Sequence, residues 1–365
     1  MSTTTKRFYT LDAFRGLAAL LVFLYHAPNL SILTKNSFIK GSGVFVDLFF
    51  VLSGFVIYHN YKNKLYNFNM SKSFILKRFN RLLPLHIYTL LVLLLLEVIK
   101  YLAQDYITFS TIPFESNTIA SFWPQLFLVN STPLFCGFNW NGQNWSISAE
   151  LITYLLFIIT SLVWLKKKKL TFLISIVIIC LGYLFFVLKY HTYNIYIDFN
   201  FSFIRGFIGF YFGIIIYLLR DTVLSFLNKV SIVLGNLLEG LILIFVIYIV
   251  SNMSYYQNYF FIVHIAFGLL IFIFSMEKGL ISQFLKLQLF QKLGQWSYSI
   301  YLNHTLIIIF YNMILVKTLK VHEAYIIPSE LLLIVVLCLY SAFTYKHIEK
   351  RFYKQKKQNK PVIKE

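Results

Sequence analysis

Charged side chains are scarce in this chain of 365 residues. Only 13% of its residues are charged and 58% are hydrophobic, including 39 Phe and 26 Tyr. A typical soluble domain is about 25% charged and about 45–50% apolar. Because a soluble fold of this size cannot bury so much apolar surface, the composition indicates a protein whose solvent is a lipid bilayer.

Cysteine is also rare. The three cysteines, Cys136, Cys180 and Cys338, are far apart and form no Cys-x-x-Cys pair. This pattern argues against a disulfide framework and a zinc site, and we expect no metal and no bound cofactor. A Gly-x-Ser-x-Gly elbow, which would indicate a hydrolase nucleophile, is missing as well.

Long apolar runs dominate the rest of the chain. A membrane-crossing helix needs about 20 mostly apolar residues, and ten segments meet this requirement: residues 11–28, 44–60, 82–103, 147–165, 170–188, 201–219, 232–251, 258–275, 297–316 and 326–345. The first run has no convincing cleavage site and carries Asp12, Arg15 and His26, so we interpret it as a retained span rather than a signal peptide. The sequence predicts an all-α, polytopic integral membrane protein with about ten transmembrane helices.

Acidic residues are few, and the basic residues that outnumber them are distributed unequally between the two predicted sides of the membrane. The 33 Lys and Arg outnumber 14 Asp and Glu. If the N-terminus is cytoplasmic, 25 basic residues fall on the cytoplasmic side and five in outer loops, and loop 104–146 has none. This positive-inside pattern predicts a multi-pass protein of the cytoplasmic (inner) membrane with both termini in the cytoplasm.

The same pattern defines the predicted domains and partners. Residues 1–350 form one membrane domain, and residues 351–365 form a basic cytoplasmic tail. We interpret the tail as a topology anchor that contacts anionic membrane lipids. Nucleic-acid binding would need a folded soluble module, and the sequence predicts none.

Ionisable residues inside the spans are candidates for function, because a charged group at the centre of a span costs about 2.5–3.5 kcal/mol. Arg15 and His26 are eleven residues apart, which places them on one face of the first helix about 16 Å apart. Asp12 can pair with Arg15 one turn later. Asp47 lies at the expected depth of His26, where a carboxylate would fix the imidazole tautomer and raise its basicity. His26 and Asp47 could equally form a purely structural pair.

Polar residues near other span ends extend this set. Arg78 and Arg81 share a helix face that could bind phosphate, or they could be anchors at the membrane surface. Glu150 lies at the expected level of His26. Trp145 could be a binding residue or part of an interfacial aromatic belt.

Two further candidates lie in the sixth and ninth predicted spans. Arg205 is near the outer end of the sixth span, whose glycines have the spacing of a helix-packing face. His304 could bind substrate, or it could be a hydrogen-bonded residue of the bundle.

Several segments together resemble the acyltransferase 3 family, multi-span membrane O-acyltransferases that modify sugars and cell-envelope polymers. Residues Leu11–Ala19 with His26 are similar to the family's opening signature, and Val46–Phe55 to its second. Shorter similarities follow in the family's order: Arg78-x-x-Arg81 with Pro84, Trp145–Glu150, Arg205-Gly206, Ser297–Tyr301 and Ile348–Arg351. The resemblance covers essentially the whole chain.

The resemblance implies transfer of a short acyl group, most often acetyl, from cytoplasmic acyl-coenzyme A to a carbohydrate or glycolipid hydroxyl. It also implies that Arg15 and His26 are essential. We therefore expect His26, oriented by Asp47, to act as general base, and Arg15 to hold the donor or stabilise negative charge. Arg78 and Arg81 are expected to bind the phosphates of the donor.

The saccharide acceptor is expected to contact residues of the outer half: Glu150, Trp145, Arg205 and His304. The alternative function is a saccharide exporter or flippase of the same fold, in which the polar residues would line a pathway. Many transporters have inverted repeats and helices broken at the midplane, and this sequence has neither.

Overall fold

A computed structural model describes residues 6–28, 31–62, 64–65, 67–107, 109, 111–134, 139–164, 167–195, 200–226, 231–313, 322 and 325–352. Its ten long helices are α1 (Tyr9–His26), α2 (Phe45–Tyr61), α3 (Phe68–Ala103), α4 (Trp145–Trp164), α5 (Lys168–Tyr190), α6 (Ser202–Phe226), α7 (Ile232–Ser251), α8 (Phe260–Phe274), α9 (Gln288–Tyr311) and α10 (Ile326–Thr344). Each corresponds to one predicted span. Most of the predicted basic tail, from residue 353 on, lies outside the described residues.

Eight segments of the described chain are long and apolar enough to cross a membrane: Ser37–Tyr61, Phe68–Ala103, Gly142–Leu162, Lys168–Tyr190, Ser202–Leu224, Ile232–Ser251, Met253–Phe274 and Ile326–Phe352. Helices α1 and α9 are not among them, because both interrupt their apolar runs with ionisable or polar side chains. An all-helical membrane architecture is therefore confirmed for the described residues, and a count of ten crossings stays a prediction, as does the orientation.

Helix α3 begins earlier than predicted. It starts at Phe68 rather than near residue 82, and Pro84 lies inside it rather than near its end. Its 36 residues correspond to about 54 Å, well beyond the roughly 30 Å of a bilayer core. The extra turns contain four basic residues, Lys72, Lys77, Arg78 and Arg81, so the uninterrupted apolar run that predicts the span begins only after them. Arg78 and Arg81 therefore lie on a continuous helix.

The first two helices are antiparallel and define two faces of the bundle. Phe8, just before α1, packs on Phe55 near the end of α2, with ring centroids 5.4 Å apart. Ser42, just before α2, donates through Oγ to Leu21 O near the end of α1, at 3.0 Å. We call the end where α1 begins the amino-terminal face and the end where α1 finishes, at His26, the far face. The amino-terminal face is the one predicted to be cytoplasmic.

In two pairs of helices, a glycine lets the backbones of the two helices come into direct contact. A Cβ on Gly16 of α1 would lie 2.5 Å from the Leu293 carbonyl carbon in α9. A Cβ on Gly54 of α2 would lie 1.8 Å from Phe210 O in α6. Small residues permit such close packing in membranes, where there is no hydrophobic drive between helices. These two contacts bring α1 onto α9 and α2 onto α6.

Gly54 and Gly240 allow a matched test of this packing. Gly54→Ala should lower the stability of the protein by about 1–3 kcal/mol through overpacking against Phe210. Gly240→Ala should leave stability unchanged or raise it by about 0.5–1 kcal/mol, because no atom lies within 4 Å of a Cβ at Gly240. Thermal unfolding in detergent measures both. Equal effects of the two substitutions would contradict the close α2–α6 contact.

Candidate functional site

A cavity of about 110 Å³ lies between α1, α2, α3, α4 and α9. Its charged lining residues are Arg15 from α1, Arg78 and Arg81 from α3, and Glu150 from α4. Arg15 lies in the half of α1 nearer the amino-terminal face. Four of the predicted site residues are therefore brought together, and the cavity they line is rich in positive charge. The predicted position of Glu150, at the level of His26 among the acceptor-binding residues, is wrong: Glu150 shares this cavity with the three arginines, and His26 does not line it.

Glu150 is held by hydroxyl groups from two helices. Ser53 of α2 donates through Oγ to Glu150 Oε1 at 3.0 Å. Tyr154, one turn after Glu150 on α4, donates through its hydroxyl to the same oxygen, and Ser53 Oγ lies 3.0 Å from the Tyr154 hydroxyl. This closed triangle fixes the carboxylate at the cavity wall. No site role was expected for Ser53 or Tyr154.

Arg15 and Arg78 are oriented in different ways. Arg15 forms the predicted ion pair with Asp12, with Nη1 3.3 Å from Oδ1. The guanidinium of Arg78 lies over the rings of Phe74 and Tyr154, with its central carbon 5.3 and 5.6 Å from their centroids. Its buried Nε has no hydrogen-bond partner among the residues that the structure describes. Arg78 thus keeps donor capacity that a bound anion could use.

Arg81 interacts with a carboxylate that was not predicted as a site residue. Glu349 lies at the end of a π-helical turn, Tyr345–Glu349, which follows α10. It is 6% exposed, accepts a 2.9 Å hydrogen bond from Ser299 Oγ, and is close enough for an electrostatic interaction with Arg81 and Arg15. The available sequence signal was the family-like segment Ile348–Arg351, in which Glu349 is the acidic residue, and π-turns often occur at functional sites.

A histidine pair lies beyond this cavity, toward the far face. The rings of His26 and His304 are 5.2 Å apart between centroids. His304 is fully buried, and neither of its ring nitrogens makes a well-formed hydrogen bond within the described part of the chain. His26 Nδ1 lies 2.8 Å from Val22 O. Because a carbonyl only accepts, Nδ1 of His26 carries a proton and its Nε2 has the free lone pair when the ring is neutral.

Asp47 does not pair with His26, contrary to expectation. Its Oδ2 accepts from Arg205 Nη2 at 2.7 Å, and the two side chains are 0% and 1% exposed. The Arg205 guanidinium also lies 4.8 Å from a Trp145 ring centroid. Inside a bundle, a carboxylate gains more from a full opposite charge than from a neutral imidazole. Asp47, Arg205 and Trp145 thus form a separate buried group, and none of the three lines the cavity.

Comparisons with known proteins find sequence similarity along most of this chain. A family model described as an acyltransferase domain matches residues 8–346. Protein 2 in picA locus, from Rhizobium radiobacter, is 44% identical over 86 residues, which is 23% of this chain and 43% of that protein. Peptidoglycan O-acetyltransferase OatA, from Listeria monocytogenes serovar 1/2a, is 30% identical over 185 residues, which is 46% of this chain and 26% of that protein.

The chain therefore spans less than half the length of these two curated relatives. No solved structure is similar enough to count as a match.

The Asp47–Arg205 pair can be tested by a double-mutant cycle. Arg205→Met or Asp47→Asn alone leaves an unpaired buried polar group and should destabilise the fold by about 3–5 kcal/mol. The double variant should unfold at a higher temperature than either single variant, as measured in detergent. Additive losses of stability in the cycle would show that the two side chains do not depend on each other.

Proposed function

Because the chain belongs to the acyltransferase 3 family, we propose that it transfers an acyl group, acetyl first, from acyl-coenzyme A to a hydroxyl of a cell-envelope saccharide. The observation that carries the proposal is the convergence of Arg15, Arg78 and Arg81 on one cavity in the middle of five helices. A phosphorylated donor suits such a cavity, since arginine binds phosphate with two parallel hydrogen bonds. The printed name of the Listeria relative supports acetyl as the group and an envelope polymer as the acceptor.

The proposed orientation follows the charge distribution. With the amino-terminal face in the cytoplasm, Arg15, Arg78 and Arg81 lie in the half of the bundle from which cytoplasmic acyl-coenzyme A would enter. The phosphates would bind to the arginines, and the acyl end would point toward the far face. The acceptor would then approach from outside the inner membrane.

Spacing along α1 separates the roles of Arg15 and His26. Eleven residues at 1.5 Å each place their Cα atoms about 16 Å apart along the helix axis, so one reacting carbonyl cannot contact both side chains. We assign Arg15 to donor binding, where Asp12 orients it at 3.3 Å, and His26 to the acyl end of the donor. The extended arm of the coenzyme would cover the distance between them.

His26 is suited to act as general base. With Nδ1–H bonded to Val22 O, Nε2 can accept the proton of the acceptor hydroxyl. The hydroxyl oxygen then forms a bond to the acyl carbon, the carbon–sulfur bond breaks, and the leaving thiolate of coenzyme A takes the proton back from His26. A positioned base of this kind accelerates transfer by about 10²–10⁴-fold.

Donor binding is tested with arginine variants of α3. Arg81→Gln should raise the KM for acetyl-coenzyme A about tenfold or more, the loss expected for a charge-assisted hydrogen bond, with a smaller effect on kcat. Lys72→Gln, an exposed basic residue of the same helix, is the matched control and should leave both constants unchanged. An unaltered KM in Arg81→Gln would rule out this donor site.

The base is tested with His26→Gln. This variant should lose transfer by about 10²–10⁴-fold and still bind acetyl-coenzyme A, as measured by labelled acetyl on envelope glycan and by direct donor binding. His191→Gln, an exposed histidine after α5, should behave as wild type. Full transfer by a normally inserted His26→Gln protein would refute the mechanism.

A further inference from the structure

A second cavity lies at the far face of the bundle. It has a volume of about 360 Å³ and lies between the end of α1, residues 37–44 and the connection from α7 to α8. This volume is within the roughly 300–1,000 Å³ of small-molecule sites. Its polar or aromatic lining residues are Tyr25, Ser37, Lys40, Ser251, Ser254 and Gln257. None of them belongs to the arginine-lined cavity.

We propose, on the basis of the proposed function, that this far-face cavity is the acceptor subsite and that it binds a saccharide carrying an acidic group. Three serine hydroxyls, one amide and one tyrosine ring provide hydrogen-bond donors and acceptors beside an apolar ring face, which suits a polyhydroxylated ligand. Lys40 is the charged residue of the lining, and it forms no ion pair among the described residues. A cavity whose described lining residues provide an ammonium group and no carboxylate favours an anionic ligand over a cationic one.

The far-face cavity is connected to His26 through a row of aromatic rings. Tyr25 lines the cavity, and its ring centroid is 4.8 Å from that of His26. His26 in turn packs on His304 at 5.2 Å, and His304 packs on Tyr301 at 5.7 Å. Tyr301 lines the arginine-lined cavity. A row of contacting rings that includes the histidine pair therefore runs from the far-face cavity to the arginine-lined cavity, and a donor and an acceptor that meet at His26 would approach from these two cavities.

The walls of the far-face cavity are firmly built. Gly41 packs so tightly on α7 that a Cβ there would lie 1.9 Å from Val250 O. Ser42 Oγ donates to Leu21 O and to Ile39 O, at 3.0 and 2.7 Å, which ties residues 37–44 to α1. These contacts fix the walls of the cavity around its lining residues.

The decisive experiment fills the far-face cavity with a tryptophan side chain. It then measures donor binding and acylation of the acceptor separately. Ser254→Trp places a large ring in the far-face cavity, and Asn252→Trp places the same ring on an exposed neighbour that does not line it. In a deletion strain rescued with each variant, alkali-released acyl groups on the envelope glycan should fall about tenfold or more with Ser254→Trp and stay at the wild-type level with Asn252→Trp. Purified Ser254→Trp protein should bind acetyl-coenzyme A as wild type does.

The substitution Lys40→Gln tests whether the saccharide that binds in this cavity carries an acidic group. It should lower acyl transfer several-fold on peptidoglycan fragments that carry carboxylates and leave transfer to neutral chitooligosaccharides unchanged, with Lys35→Gln as the matched control on the same face. If the Ser254→Trp variant acylated the glycan to the wild-type level, the proposal that this cavity binds the acceptor would be refuted. Loss of donor binding in that variant would refute it as well. If Lys40→Gln lowered acyl transfer to both acceptors equally, the proposal that the ligand carries an acidic group would be contradicted. Absence of acyl groups with the wild-type rescue would instead refute the proposed function itself.

Discussion

The contact between α1 and α9 is the constraint on which the rest of the site depends. A Cβ on Gly16 would lie 2.5 Å from the carbonyl carbon of Leu293, and one on Gly294 would lie 2.2 Å from Asp12 O, so the two backbones touch. These are the two long helices that fall short of the apolar criterion for crossing a membrane. By packing on each other they turn polar side chains inward, where lipid cannot reach them and where they can be hydrogen-bonded.

The packing of α1 on α9 fixes the order of the polar side chains from the amino-terminal face to the far face of the bundle. Arg15 faces Ser297 and Tyr298 around one cavity, and His26, three turns later, faces His304. Because a helix is rigid over this length, the distance between Arg15 and the imidazole of His26 is set by α1 alone. A substrate that uses both ends must therefore be long and extended, which is a property of acyl-coenzyme A.

Much of this arrangement can be predicted from the hydropathy and the helical repeat of the sequence. The features that cannot be predicted in this way have physical causes. Hydropathy over about 20 residues locates ten helices, and the helical repeat places Arg15 and His26 on one face. The partner of Asp47 could not be predicted, because His26 and Arg205 both lie at its expected depth and the sequence does not say which helices touch. Glu349 was missed because its π-turn departs from the regular helical repeat that predictions assume.

The Asp47–Arg205 pair affects the site without touching it. Both side chains are buried, and a buried pair tolerates little displacement because each charge would lose its partner. It lies in the same α2–α6 interface as the contact of Gly54 with Phe210, so the pair and the glycine together fix the axial register of α2. That helix supplies Ser53, the hydroxyl that holds Glu150. A shift of α2 by one residue would rotate Ser53 by 100° away from the carboxylate, so the register of α2 determines the shape of the cavity wall.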